Sequence, residues 1–152
     1  VIDGNWLSSN KYDPRALALY ERHYSARQYA DGRKRYQFVP PGEQMVLLTV
    51  CCRALFVWVK NIVERYDKQV GINCTVFRNE GAGLSSDLIR EADDLAFQRW
   101  PGERHFTYVD VEKTRRRRSK RAQPGKCFIE AGWHPCGYSA KANLLLLERL
   151  PA

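Results

Sequence analysis

Apolar residues recur along this chain with two different periods. Three runs, Met45 to Cys51, Ala54 to Val59 and Ile72 to Phe77, are dense in Val, Leu, Phe and Trp, which predicts buried strands. The first two lie close enough for a tight hairpin, and the polar stretch 60–71 predicts a mobile connection to the third. After Gly83 the period lengthens. Leu88, Ile89, Ala92, Leu95, Ala96 and Trp100 share one helical face, and Asp87, Arg90, Glu91, Asp94 and Arg99 fall elsewhere, until Pro101-Gly102 stops the helix. Phe106 to Val109 predicts a short strand, Lys126 to Ala131 a short helix closed by Gly132, and Asn143 to Leu147 a final strand. Near the start, Asp13-Pro14 has the chemistry of an N-cap followed by proline in the first turn, and Leu17, Tyr20 and Tyr24 follow at helical spacing. A helix over about 14–29 is expected, ended by Asp31-Gly32. The basic cluster Arg33-Lys34-Arg35 then leads to the turn Pro40-Pro41-Gly42.

At 152 residues the chain is expected to form one domain, with a helical segment over 1–37 and a core over 45–148. No apolar run approaches the roughly 18 residues of a membrane span. The first thirty residues lack the pattern of a secretion signal, so the cytoplasm is the expected compartment. Five cysteines, Cys51, Cys52, Cys74, Cys127 and Cys136, are an odd number placed mostly in or beside apolar runs, and free thiols are expected. His105, His134 and Cys136 could share a metal, but no second ligand pair stands at zinc-like spacing. The net charge of +8 is local: Lys113, Arg115, Arg116, Arg117, Arg118, Lys120 and Arg121 supply seven basic groups without an intervening acid. The remaining 18 basic residues nearly balance the 17 acidic ones, which points to a local polyanion contact or else to a solvated loop.

The loop Arg78-Asn79-Glu80-Gly81-Ala82-Gly83, running on through Leu84 and Ser85, joins a predicted strand to the long helix. Unpaired N–H groups at a helix N-terminus favour an anion, the two glycines allow close approach of main chain to ligand, and Arg78 adds positive charge. Read without a ligand, the same glycines serve turn geometry.

This loop resembles the R/Q-x-x-G-x-G/A motif of the GNAT superfamily of acyltransferases. The segment Phe128-Ile129-Glu130-Ala131-Gly132-Trp133 resembles that superfamily's closing aromatic and Ala-Gly-aromatic segment, and together the two span roughly residues 45–148. The resemblance implies an α/β (α+β) GNAT fold: a mixed, mostly antiparallel central sheet with splayed fourth and fifth strands and helices on both faces. It further implies acetyl-CoA or a related acyl donor, its pyrophosphate held by backbone N–H groups of residues 80–85. Family members commonly place a tyrosine on the short helix as general acid. Phe128 stands nearest here and has no proton to donate.

Arg22-His23-Tyr24-Ser25, Phe77 to Gly81, Tyr108-Val109-Asp110, Pro124 to Phe128 and Ala131-Gly132-Trp133 are similar to the Mom-type DNA-modification proteins of phages, GNAT relatives that convert adenine in DNA to an N6-carbamoylmethyl form. That resemblance implies a phage- or prophage-encoded enzyme acting on the exocyclic amine of a flipped adenine in the bacterial host. His23, Tyr24, Tyr108 and Asp110 are then the catalytic candidates, and His23 with Asp110 the candidate ligands if iron or another metal takes part. Tyr108 as a core residue and Asp110 as a strand-end turn residue remain open. The basic run would grip phosphates. Two rival readings stand beside this one: a GNAT acyltransferase of protein, tRNA or a small amine, and a nucleic-acid-binding protein without catalysis.

Overall fold

The computed structural model describes residues 4–23, 26, 38–115, 123–139 and 144–151, with Arg115 in its backbone alone. The strands are β1 (Trp6–Ser9), β2 (Glu43–Thr49), β3 (Ala54–Lys60), β4 (Ile72–Asn79), β5 (His105–Val109), β6 (His134–Tyr138) and β7 (Leu145–Arg149). The helices are α1 (Pro14–Glu21), α2 (Ser85–Arg99), α3 (Val111–Arg115) and α4 (Lys126–Glu130). The strands make one sheet in the order β1-β2-β3-β4-β5-β7-β6, antiparallel throughout except where β4 meets β5.

Alternation along β2 to β4 sends side chains to two cores. Leu47, Phe56, Trp58, Ile72 and Cys74 meet Leu88, Ile89, Ala92 and Ala96 of α2 on one face. Val46, Leu48, Leu55, Val57, Val59 and Val76 meet Ala16, Leu19 and Tyr20 of α1 on the other. Covered on both faces, β3 is buried from Ala54 to Val59, which is why it reads as an unbroken apolar run.

The expected N-cap of α1 is present: Asp13 accepts from the Arg15 N–H at 2.9 Å, with Pro14 in the first turn. The helix is shorter than its periodicity suggests, because Arg22 caps it and His23 bends away, donating its N–H to Tyr20 O. The remainder of the predicted helix falls largely outside the described residues. Strand β1 has only four residues and β6 contains Pro135 and Gly137, so neither has a legible strand pattern; β6 tolerates its proline at the sheet edge.

The sheet opens between β4 and β5. They pair in parallel only at Ile72–His105 and Asn73–Phe106. Beyond that point the β3–β4 register shifts, so that Val57 faces Val76 while Trp58 faces Cys74, and Thr75 is the extra residue. Such a bulge bends its strand. Thr107 Oγ1 donates to Cys74 O at 2.8 Å where the ladder stops, and β5 continues with β7 instead, from His105–Arg149 to Val109–Leu145.

Candidate active site

The opening between β4 and β5 leads into a cavity of about 640 Å³. Cys74 to Phe77 and Thr107 to Val109 form its walls, Gly83 to Ser86 one end, and Gln123, Gly125 to Phe128 and Glu130 the side toward α4. His23 and Thr114 complete the lining. Thr75 Oγ1, on the bulge, is buried without a hydrogen-bond partner among the described residues.

The glycine loop is held from within. Asn79 Oδ1 accepts from the N–H groups of Gly81 (3.1 Å) and Ala82 (2.9 Å), while its Nδ2 donates to Gly83 O and Ser85 Oγ. Glu80 donates its N–H to Arg53 O at 2.6 Å. Three of the N–H groups expected to meet a pyrophosphate are therefore engaged by the chain. Those of Gly83, Leu84, Ser85 and Ser86 have no partner among the described residues, and the N-cap Leu84 has no side-chain acceptor to offer them. An anion satisfies such groups. A Cβ added at Gly81 (φ +96°) or Gly83 (φ +153°) would meet no atom of the described residues within 4 Å. Gly83, Leu84 and Ser85 line the cavity, and Arg78, Asn79, Glu80, Gly81 and Ala82 shape the loop behind it.

The catalytic candidates separate. His23 reaches the cavity from the end of α1. Tyr108 lines it too, but its hydroxyl donates to Asp67 Oδ2 at 3.0 Å. Asp67 is gripped by Arg65 at 2.8 and 2.7 Å, and Arg65 above all holds the carboxyl down at about 2. Burial, and then the hydrogen bond to Asp67, push the Tyr108 phenol up to about 12. Tyr108 should therefore stay protonated across the working range. Any basic limb in a pH–rate profile below about pH 11 should persist in Tyr108→Phe, and a limb lost in that variant would contradict the assignment.

Asp110 stands at the end of β5 and caps α3, accepting from Lys113 N at 2.9 Å; it is not among the cavity-lining residues. Among the described residues no group of three or more His, Cys, Asp and Glu side chains is placed to hold a metal ion, so His23 and Asp110 gain no support as a metal pair. His105 lies in the core while His134 and Cys136 are on exposed β6, which separates that trio as well. Tyr24, Arg116, Arg117, Arg118, Lys120 and Arg121 fall outside the described residues; Lys113 is exposed on α3 and Arg115 ends it.

On α4, Phe128 is buried against Trp133 at 4.9 Å and Phe77 at 5.9 Å, as a core residue. Its neighbour Cys127 lines the cavity, and burial pushes that thiol up to about 11, so it is protonated near neutrality. Thr75, Thr107, Cys127 and Lys126 carry no sequence signal for such a site, since each is an ordinary residue of a strand or helix. All five cysteines are free. No helix among the described residues is long and apolar enough to cross a membrane.

No family model matches the chain, and no curated protein does. Among solved structures it is similar to a chimera of the spermidine N-acetyltransferase SpeG from Vibrio cholerae and hSSAT, with a TM-score of 0.59 and 12% sequence identity over 97% of this chain and 96% of that one. At that identity the likeness concerns architecture, and it gives no support to the Mom-type proteins in particular. The seven-stranded sheet, its parting between β4 and β5 and this likeness together show that the chain has the GNAT fold.

Proposed function

We propose that the chain is an acyl-CoA-dependent transferase of the GNAT type whose acceptor is an amine carried by nucleic acid, with the exocyclic amine of adenine in DNA as the target. The observation that carries the donor half is the open set of N–H groups from Gly83 to Ser86, which line the cavity at the β4–β5 gap beside glycines whose free side meets no atom of the described residues. An acyl-CoA supplies a thioester carbon activated toward an amine. The new bond forms from the amine nitrogen to that carbon, the carbon–sulfur bond breaks, and the amine proton must leave. His23, on the cavity wall, is the residue suited to take it. Cys127 adds a protonated thiol to the same lining. Tyr108 and Asp110 serve here through position, the first by shaping the cavity and the second by fixing α3; Tyr24 adjoins His23 in sequence.

The acceptor half rests on where the basic run leaves and rejoins the described chain. Thr114 and Gln123, on either side of the arginines, both line the cavity. The charge of the basic run between them suits a polyanionic acceptor, and its described neighbours in sequence belong to the cavity lining. The spermidine of the structural neighbour's name is a polycation, and the described lining opposes one: its acid is Glu130, which pairs with Lys126 at 3.7 Å.

The test is incubation with acetyl-CoA and duplex or single-stranded DNA, followed by mass spectrometry of the nucleosides. An acylated adenine nucleoside is expected; acylation of spermidine or peptide amines with unchanged nucleosides would refute the acceptor. If about four arginines touch phosphates, log affinity for duplex DNA should fall against log salt with a slope near −3.6. Glutamine at Arg115 to Arg118 should flatten that slope while leaving acyl-CoA affinity unchanged.

A further inference from the structure

A carboxylate in a loop that leads to an anion site is the wrong charge in the wrong place, and Glu80 occupies that position. Its charge is not left bare. Arg22, 58 residues away at the C-cap of α1, donates Nε and Nη2 to the two carboxylate oxygens at 2.8 Å each. Arg78 donates Nε to Oε2 at 2.5 Å. The fork of Arg22 matches the carboxylate in bidentate fashion, the geometry in which arginine orients as well as neutralises. Arg22 with Arg78 drives the Glu80 carboxyl down to about 2, so it stays ionised and paired through the physiological range. Counted as formal charges, the trio is one positive unit.

We propose that Arg22 is a specificity-determining residue for the phosphate-bearing end of the donor: although it does not line the cavity, it offsets the Glu80 charge, so that the trio with Arg78 keeps one net positive unit in the loop and attracts a polyphosphate. This rests on the acyl-CoA reading above. Without Arg22 the trio is neutral; without Glu80 it carries two positive units; without both it returns to one.

Calorimetric titration of CoA into four proteins reads this order directly. Arg22→Gln should weaken CoA binding about fivefold to tenfold at low salt, from the loss of one unit charge in the loop trio, and the deficit should shrink as salt rises. Glu80→Gln should bind CoA more tightly than wild type. The double variant Arg22→Gln/Glu80→Gln should return to within about twofold of wild type, and Arg22→Lys should keep most of the affinity. Unchanged affinity in Arg22→Gln, or a double variant as weak as that single one, would overturn the inference, the second result by showing that Arg22 only holds α1 in place. A wild-type protein that does not bind CoA would instead refute the donor reading, and this inference with it.

Discussion

Replacing Asp93 with alanine is expected to remove about 3–5 kcal/mol of stability, a large share of what a domain of this size holds in reserve. Asp93 lies on the buried side of α2 with no exposed surface and gathers three donors from distant parts of the chain. His105 Nδ1 of β5 lies 2.8 Å from Oδ1, Trp133 Nε1 donates to Oδ2 at 2.8 Å, and Arg149 Nη1 of β7 donates to Oδ2 at 3.3 Å. Arg149 also donates to Ala131 O, so one carboxylate ties the helix to the β5-β7-β6 half of the parted sheet. His105 is stacked on Phe97 at 3.9 Å, and its Nε2 has no partner among the described residues, which leaves Asp93 as its hydrogen-bond contact. Alanine would strand buried donors at 93's former partners, and asparagine, which keeps one acceptor oxygen, should cost distinctly less. Urea unfolding with fixed slope measures both variants. A loss below about 1 kcal/mol in Asp93→Ala would show that the network adds little beyond the packing around it.

Donor affinity should fall roughly a hundredfold in Gly83→Asp, the largest single effect expected on binding. Sequence alone directs this test to Gly81, at the centre of the motif. The structure moves it two residues on, because Gly83 lines the cavity and keeps its N–H open, while the Gly81 N–H is already held by Asn79. At φ +153° the new side chain brings backbone strain of about 1–3 kcal/mol, and its carboxylate would stand where a pyrophosphate is expected. Gly83→Asn separates the two effects, sharing the strain without the charge. Calorimetry with CoA decides: equal losses in both variants assign the effect to the backbone, and no loss in either removes the donor from this loop.

Much of the fold could be read from the residues. Long periodic segments gave α2 and the three central strands within a few residues, and Asp13-Pro14 marked where α1 begins. Elements lacking periodicity escaped: Trp6–Ser9 is too short for a pattern, Val111–Arg115 is a single turn and a half, and His134–Tyr138 looks like a turn because of its proline and glycine. Asp93 was invisible for a related reason. A charged residue on a helix reads as solvent-facing until its partners, here 12, 40 and 56 residues away, come into view. At the candidate site, the glycine loop was legible but the occupation of its N–H groups was not, since that depends on where the Asn79 amide lies. Asp110 illustrates the same limit: the sequence left it open between a catalytic candidate and a strand-end turn residue, and the chain uses it as a helix cap.

The bulge at Thr75 bears on how this site can be inherited. Its cavity is cut by one extra residue of backbone, and its free donors are main-chain amides, neither of which demands a particular side chain. Mutation can then rewrite most of the wall while the opening and its anchor persist. A site built this way keeps its anchor as contour while the side chains of the lining are free to change, so likeness to other chains should be sought in shape before it is sought in letters.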